Sequence, residues 1–141
     1  MTSLDVQLRE LGADFASLGV DDRLNLLLEF ADSLPEVPQE LRDHPDLLER
    51  VVECQSPVFL YVEVAGETVQ IHFTVPREAP TTRGFASILH SLLNGRTPSE
   101  VLAASDTIPD SLSLAEAVSP LRLRGMRGML HRIKRQVEQK Q

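Results

Sequence analysis

Residues 53–75, ECQSPVFLYVEVAGETVQIHFTV, decide how this chain folds. Val58, Leu60, Val62 and Val64 alternate with Phe59, Tyr61 and Glu63. After Ala65-Gly66-Glu67, Val69, Ile71, Phe73 and Val75 alternate with Thr68, Gln70, His72 and Thr74. A period of two sends successive side chains to opposite faces, and two such runs joined by a short glycine-containing turn make an antiparallel hairpin. One face is apolar and needs a cover; the other carries Tyr61 and His72 and stays partly wet. The only cysteine, Cys54, stands just before the hairpin, next to Gln55, Ser56 and Pro57, which read as a turn. A thiol in that position is presented by the turn while the strand anchors it in a core.

Helical patterns lie on both sides of the hairpin and supply the cover. Leu4, Leu8, Leu11 and Phe15 repeat at helical spacing up to about Leu18, and Gly19 ends that run. Asp21 is the expected N-cap of a second helix, with Leu24, Leu27, Leu28, Ala31 and Leu34 in one stripe and Pro35 as its stop. The segment from Pro35 to Val51 has three prolines and many charges and reads as an ordered connector with one helical turn. After the hairpin, Thr81 or Thr82 is the expected cap of a helix carrying Phe85, Ile88, Leu89, Leu92 and Leu93, which Asn94-Gly95 terminates. Thr97-Pro98-Ser99-Glu100 has the form of a capping box with proline in the first turn. Asp106 to Asp110 reads as a polar loop, followed by a short helical turn around Leu112, Leu114 and Ala115. Ser119-Pro120 opens a last helix with Leu123, Met126, Leu130, Ile133 and Val137 on one side and basic residues on the other. The expected fold is therefore α+β: a small antiparallel sheet built on a β-hairpin, covered on one face by helices, with a long C-terminal helix.

Size and composition set limits on function. The chain has 141 residues, 42% hydrophobic and 25% charged, enough for one domain over residues 1–141 with its own core. No apolar run approaches a membrane span, and MTSLDVQLRE lacks the basic and apolar regions of a signal peptide, so a cytoplasmic location is expected. A single cysteine can close no internal disulfide and supplies no cysteine-rich metal site. His44, His72, His90 and His131 lack ligand spacing, so no metal is expected. The sequence before Arg122 has a net charge of −13, and that from Arg122 onward +6. An acidic body argues against nucleic-acid binding and suits a basic helix that lies on its own body or meets an acidic partner. Met126 and Met129 are expected to be core filling. Taken without further context, a lone cysteine beside an apolar strand is ordinarily an inert core thiol.

Five stretches in order change that weighting. Cys54, Ser56, Val58, Phe59 and Leu60 resemble a GCxSxVWL-like motif, and Leu34-Pro35-Glu36-Val37-Pro38 resembles an LP-x-LP segment. Arg83-Gly84-Phe85 resembles a basic-Gly-apolar helix start, and Gly95-Arg96-Thr97-Pro98 the turn before the next helix. Val118-Ser119-Pro120-Leu121-Arg122-Leu123-Arg124-Gly125-Met126-Arg127-Gly128-Met129 resembles a closing LSPSRxxGLxAM. Together they resemble the SufE/CsdE-type cysteine desulfuration proteins of iron–sulfur cluster assembly. The chain departs from the pattern where Glu53 replaces the usual glycine and Phe59 the usual tryptophan, where an upstream Asn is missing, and around Pro76-Arg77-Glu78, which replaces an acidic pair. Losing the glycine is expected to stiffen the loop that exposes the thiol.

The resemblance implies a sulfur-acceptor role. Cys54 would take persulfide sulfur from a cysteine desulfurase and pass it to an Fe–S scaffold. Glu53, Gln55, Ser56 and Arg83 would then be partner-binding. Pyridoxal phosphate (PLP) would belong to the desulfurase: this chain needs no cofactor of its own, and its two lysines, Lys134 and Lys140, both lie near the C-terminus. The alternative reading is a non-covalent adaptor that docks on a desulfurase without carrying sulfur. A thiol peroxidase is disfavoured, because there is neither a Thr-x-x-Cys pattern nor a resolving cysteine.

Sulfur transfer needs a thiolate, yet a free cysteine with a pKa of about 8.5 is only a few per cent ionised at pH 7. Nearby cations or helix N-termini lower that pKa, and a neighbour such as Glu53 raises it. Arg122 is the expected cation. It stands in the first turn of the last helix, where a positive charge is disfavoured by roughly 0.3–1 kcal/mol, so an anion gathered there would account for it.

Overall fold

The hairpin forms with β2 (Phe59–Ala65) paired antiparallel to β3 (Thr68–Thr74) in the computed structural model, which describes residues 2–141. Leu60 faces Phe73, Val62 faces Ile71 and Val64 faces Val69, so the alternating apolar residues share one face. The turn between them is Gly66-Glu67, with Gly66 at φ +63°, a conformation that glycine adopts without steric cost. On the other face Tyr61 pairs with His72, the rings 6.5 Å apart, and Lys140 lies 3.9 Å above the Tyr61 ring.

A third strand, β1 (Glu49–Arg50), lies along β2 with Glu49 opposite Leu60 and Arg50 opposite Phe59, giving the sheet order β1-β2-β3. It falls inside the stretch expected to be connector. The rest of that stretch holds α3 (Gln39–Arg42), which is the single expected helical turn, and a 3-10 turn at Pro45–Leu47.

The apolar face of the sheet is covered by α4 (Pro80–Leu93) and α6 (Pro120–Lys140). Phe85, Ile88, Leu89, Leu92 and Leu93 of α4 are buried, as are Leu123, Met126, Met129, Leu130, Ile133 and Val137 of α6. The methionine pair is core filling, as expected. Two further helices, α1 (Leu4–Ala16) and α2 (Val20–Asp32), form an outer layer, with α2 against α4. The capping box starts α5 (Pro98–Ala103) as its sequence indicates, and a 3-10 turn at Ile108–Leu112 takes in the end of the expected polar loop.

Two expected caps move. Gly19, in extended conformation, caps α2, so Asp21 lies in its first turn beside Asp22, where both carboxylates complement the helix dipole. Ala79 caps α4 in place of Thr81 or Thr82, because Pro80 carries the φ a first helical residue needs and has no N–H to satisfy.

Polar groups cap β2 beyond the end of β1 and part of the free edge of β3. Where β1 runs out, the Val62 N–H donates to Gln136 Oε1 (2.8 Å), and Lys140 donates to the Val62 carbonyl. Along β3, the Val69 N–H donates to the Arg96 carbonyl, the Gly95 N–H to the Val69 carbonyl, and the Ile71 N–H to Asn94 Oδ1, each at 2.8 Å. The strand N–H groups of Val62, Val69 and Ile71 are thereby taken and offer no pairing site to another chain. Arg96, 2% exposed, donates to the Leu92 carbonyl, Gln7 and Glu100 and ties α1, α4 and α5 together.

The crossing of α2 and α4 depends on Gly84. A Cβ there would lie 2.5 Å from the Leu27 carbonyl oxygen and 2.7 Å from Leu27 Cδ1. Alanine's helix propensity, better by about 1 kcal/mol, works against that clash. Overpacking wins because the obstacle is backbone, so Gly84→Ala is expected to destabilise the chain by about 1–3 kcal/mol, read from urea midpoints at an unchanged m-value.

Candidate functional site: a retracted cysteine against two glycines

Cys54 lies at the centre of residues 51–58, the loop that joins β1 to β2. The base of the loop is pinned: Val51 and Val58 are fully buried, and the Val51 N–H donates to the Val58 carbonyl at 2.9 Å. Inside it, the Cys54 N–H donates to the Val51 carbonyl (3.1 Å) and the Val58 N–H to the Ser56 carbonyl (2.9 Å). The side chain of Cys54 turns inward and is only 8% exposed.

What makes room for it is α6. A Cβ on Gly125 would lie 2.9 Å from the Cys54 sulfur, and one on Gly128 would lie 2.7 Å from Glu53 Cδ. Residues three apart share a helix face, so these glycines form two adjacent notches that receive two consecutive loop residues. Neither contact stands out in the sequence, although a glycine inside a helical pattern is itself a sign of close approach.

Glu53 is held in its notch by Arg132. The guanidinium donates from Nε and Nη2 to Glu53 Oε1 at 3.2 and 2.9 Å, and from Nη1 to Glu49 Oε2 at 2.6 Å. Glu49 also accepts from Arg135 and, at 2.8 Å, from Gln136 Nε2. Burial pushes both carboxyls up, but these hydrogen bonds outweigh it and hold Glu49 and Glu53 below the usual carboxylate range. The Cys54 thiol moves the other way: burial and then the Glu53 charge raise it to about 11, against a smaller opposing pull from Arg132. The resting thiol is neutral at neutral pH.

An open cleft of about 240 Å³ borders the thiol, between the loop, the start of α4 and the start of α6. Glu53, Cys54, Gln55, Ser56 and Arg122 all line it, so five of the six residues singled out in the sequence meet there. Arg83 is elsewhere: it donates to the Val75 carbonyl (2.8 Å) and lines a separate hollow with Leu34–Val37 and Arg42. Arg122 sits at the cleft mouth, exposed, while the cation that acts on the thiol is Arg132. Arg132 carried no sequence signal, being 79 residues from Glu53 and one of seven basic residues in the tail.

The basic helix lies largely on its own acidic body. Arg127 pairs with Asp110, Lys134 with Asp106, and Arg135 with Glu49. Arg122, Arg124 and Lys140 are the tail cations that form no salt bridge among the described residues; Lys140 donates to the Val62 carbonyl and Gln136 instead, whereas Arg122 and Arg124 border the Cys54 loop. Val52, 68% exposed, and Leu121, 46% exposed, flank the same loop. Among the described residues no helix is long and apolar enough to cross a membrane.

A helix-backed antiparallel sheet that holds one retracted thiol at a partly apolar, partly cationic rim defines an α+β protein built around a single cysteine. The chain matches the SufE model, an Fe-S metabolism associated domain, over residues 9–137, and it belongs to that family. It is 47% identical over 138 residues to an uncharacterized SufE-like protein of Mycobacterium tuberculosis, covering 97% of this chain and 95% of that one. The sulfur acceptor protein CsdE of Escherichia coli is 27% identical over 77% of this chain and 72% of its own length. Among solved structures, the solution structure of a hypothetical protein from Thermus thermophilus superposes with a TM-score of 0.81 at 38% identity, covering 94% of this chain and 93% of that one.

The raised thiol has consequences for both reactivity and stability. Alkylation of the folded protein is expected to be half-maximal near pH 11, and Glu53→Gln, which removes the facing negative charge, should lower that midpoint. Unfolding exposes a thiol of ordinary pKa, near 9.0, which ionises first. The contribution is therefore fully present below about pH 9 and is lost as pH rises through about 11. Chemical denaturation across that window should show a fall that Cys54→Ala lacks.

Proposed function

We propose that Cys54 accepts persulfide sulfur from a PLP-dependent cysteine desulfurase and passes it on to an Fe–S scaffold for cluster assembly. The observation that carries this reading is the placement of the chain's only thiol beside an open cleft, on a loop pinned at its base. Membership of an Fe–S metabolism family and likeness to a sulfur acceptor support it.

The transfer balances without an added oxidant. Cys54 gives its proton to water, and the thiolate attacks the outer sulfur of the donor's persulfide. An S–S bond forms to Cys54 as the donor's S–S bond breaks; the electron pair leaves on the donor's cysteine sulfur, which takes up a proton. The cleft of about 240 Å³ gives the added sulfur room. Arg122, at its mouth, offers a positive charge to the persulfide anion, which is a better match for an exposed cation than the buried resting thiol.

Docking would use the rim. Arg122 and Arg124 suit an acidic surface on the desulfurase, and Val52 and Leu121 add apolar contact around the cysteine. Gln55 and Ser56, on the outer side of the loop, would meet the same surface.

Intact mass after incubation with a desulfurase and cysteine tests the proposal. Wild type should gain one sulfur and Cys54→Ser none. If the wild type gains none, and Cys54→Ser stimulates desulfurase turnover as well as wild type does, the protein is a non-covalent adaptor.

A further inference from the structure

The thiol is held back by a contact that its own chemistry does not require. Glu53 and Cys54 fill the notches at Gly128 and Gly125, and a polar tie from this pair to α6 runs through Arg132. We propose that Arg132 is a positioning residue for Cys54: by clasping Glu53 it keeps the 51–58 loop closed on α6, so that exposing the thiol requires opening this clasp. The reason for wanting an exposed thiol rests on the sulfur-acceptor reading above; the clasp itself rests on geometry alone.

The geometry suits a latch. One planar guanidinium bridges two carboxylates, Glu53 on the loop and Glu49 on β1, and its side chain is 15% exposed against 26% and 23% for theirs. A fork of fixed donors holds both at once, which a lysine ammonium on a flexible stem does less well. Glu49 keeps Arg135 and Gln136 whether or not Arg132 is present, so β1 stays anchored when the clasp opens. Glu53, by contrast, has Arg132 as its side-chain partner among the described residues. Opening the clasp therefore frees the loop and leaves the strand in place. Both glutamates are partly shielded, so salt weakens the clasp less than it weakens an exposed ion pair.

A purely electrostatic role for Arg132 predicts the opposite change on mutation. The charged and titratable groups around the thiol are Glu53 on its own loop, Glu78 before α4, and Arg122, Arg124, His131 and Arg132 on α6. If Arg132 only offsets Glu53, removing it leaves an uncompensated carboxylate beside a buried thiol, and the thiol becomes harder to ionise. If Arg132 holds the loop, removing it lets Glu53 and Cys54 reach water, and the thiol becomes easier to ionise.

Iodoacetamide alkylation across pH, with amide hydrogen exchange of residues 51–57, separates these outcomes in the full-length chain. For Arg132→Met the clasp predicts alkylation about tenfold faster at pH 8, as loss of a charge-assisted pair should give. It also predicts faster exchange in the loop and an alkylation midpoint that falls from about 11 toward the ordinary thiol range. Arg132→Lys should lie between the two. A midpoint that rises, with loop exchange unchanged, overturns the proposal. If Arg132→Met does not fold, Glu53→Gln serves: faster loop exchange supports the clasp and unchanged exchange overturns it. These readouts need no sulfur donor, so a failure of Cys54 to take up sulfur would remove the function and leave the clasp standing.

Discussion

The approach of the 51–58 loop to the face of α6 is the constraint on which the site depends. It is possible because Gly125 and Gly128 present no side chains there: each would bring a Cβ within 3 Å of a loop atom. Two glycines inside a helix cost about 1 kcal/mol each relative to alanine. Here they interrupt a 21-residue helix whose buried side, from Leu123 to Val137, provides the packing that offsets them. The glycines sit where the helix must yield to the cysteine loop, and the large apolar residues sit where it must not.

The charges of α6 follow the same division. Toward its C-terminal end, Arg132, Lys134, Arg135 and Lys140 all reach body groups, and Gln136 completes the hydrogen bonding of β2 where β1 stops. One helix thus covers the sheet, closes its edge and neutralises the acidic cluster around Glu49. Arg122 and Arg124 stand apart at the N-terminal end, where the helix dipole disfavours cations and where, among the described residues, neither forms a salt bridge. Helix stability gives no reason for them there. On the sulfur-acceptor reading, a persulfide anion or an acidic partner surface would supply one.

Much of this was legible in the sequence, and the rest shows which signals are local. The hairpin register follows from alternation over Val58–Val64 and Val69–Val75, because one slip would turn every valine outward. The buried stripes of α4 and α6 follow from helical periodicity. β1 left no trace, since two residues have no period and Glu49-Arg50 is polar; it is a strand only because β2 offers it an edge. The caps at Asp21, Thr81 and Thr82 were missed because a good capping side chain gives way when Gly19 or Pro80 already has the right backbone. Five of the site residues meet at the cleft because most belong to one loop, whereas Arg132 comes from a distant part of the chain that only the fold brings near.

Glu53 shows how the two sides of the site fit together. Read from sequence, an acid beside a cysteine only hinders ionisation. In the fold it does hinder it, yet the same carboxylate is the handle by which α6 holds the loop. With the thiol at about 11, the thiolate fraction at pH 7 is on the order of one in ten thousand. Surface thiolates are the cysteines that oxidise, so such a low fraction protects the resting thiol from stray electrophiles and oxidants. It also makes the thiol useless as a nucleophile while it is retracted. Burial and the Glu53 charge both raise the thiol pKa while the loop lies closed on α6. On the clasp proposed above, moving the loop outward would relieve the burial and let water screen the Glu53 charge. With the clasp as proposed, reactivity and exposure become one variable, set by whether the loop sits in its two glycine notches.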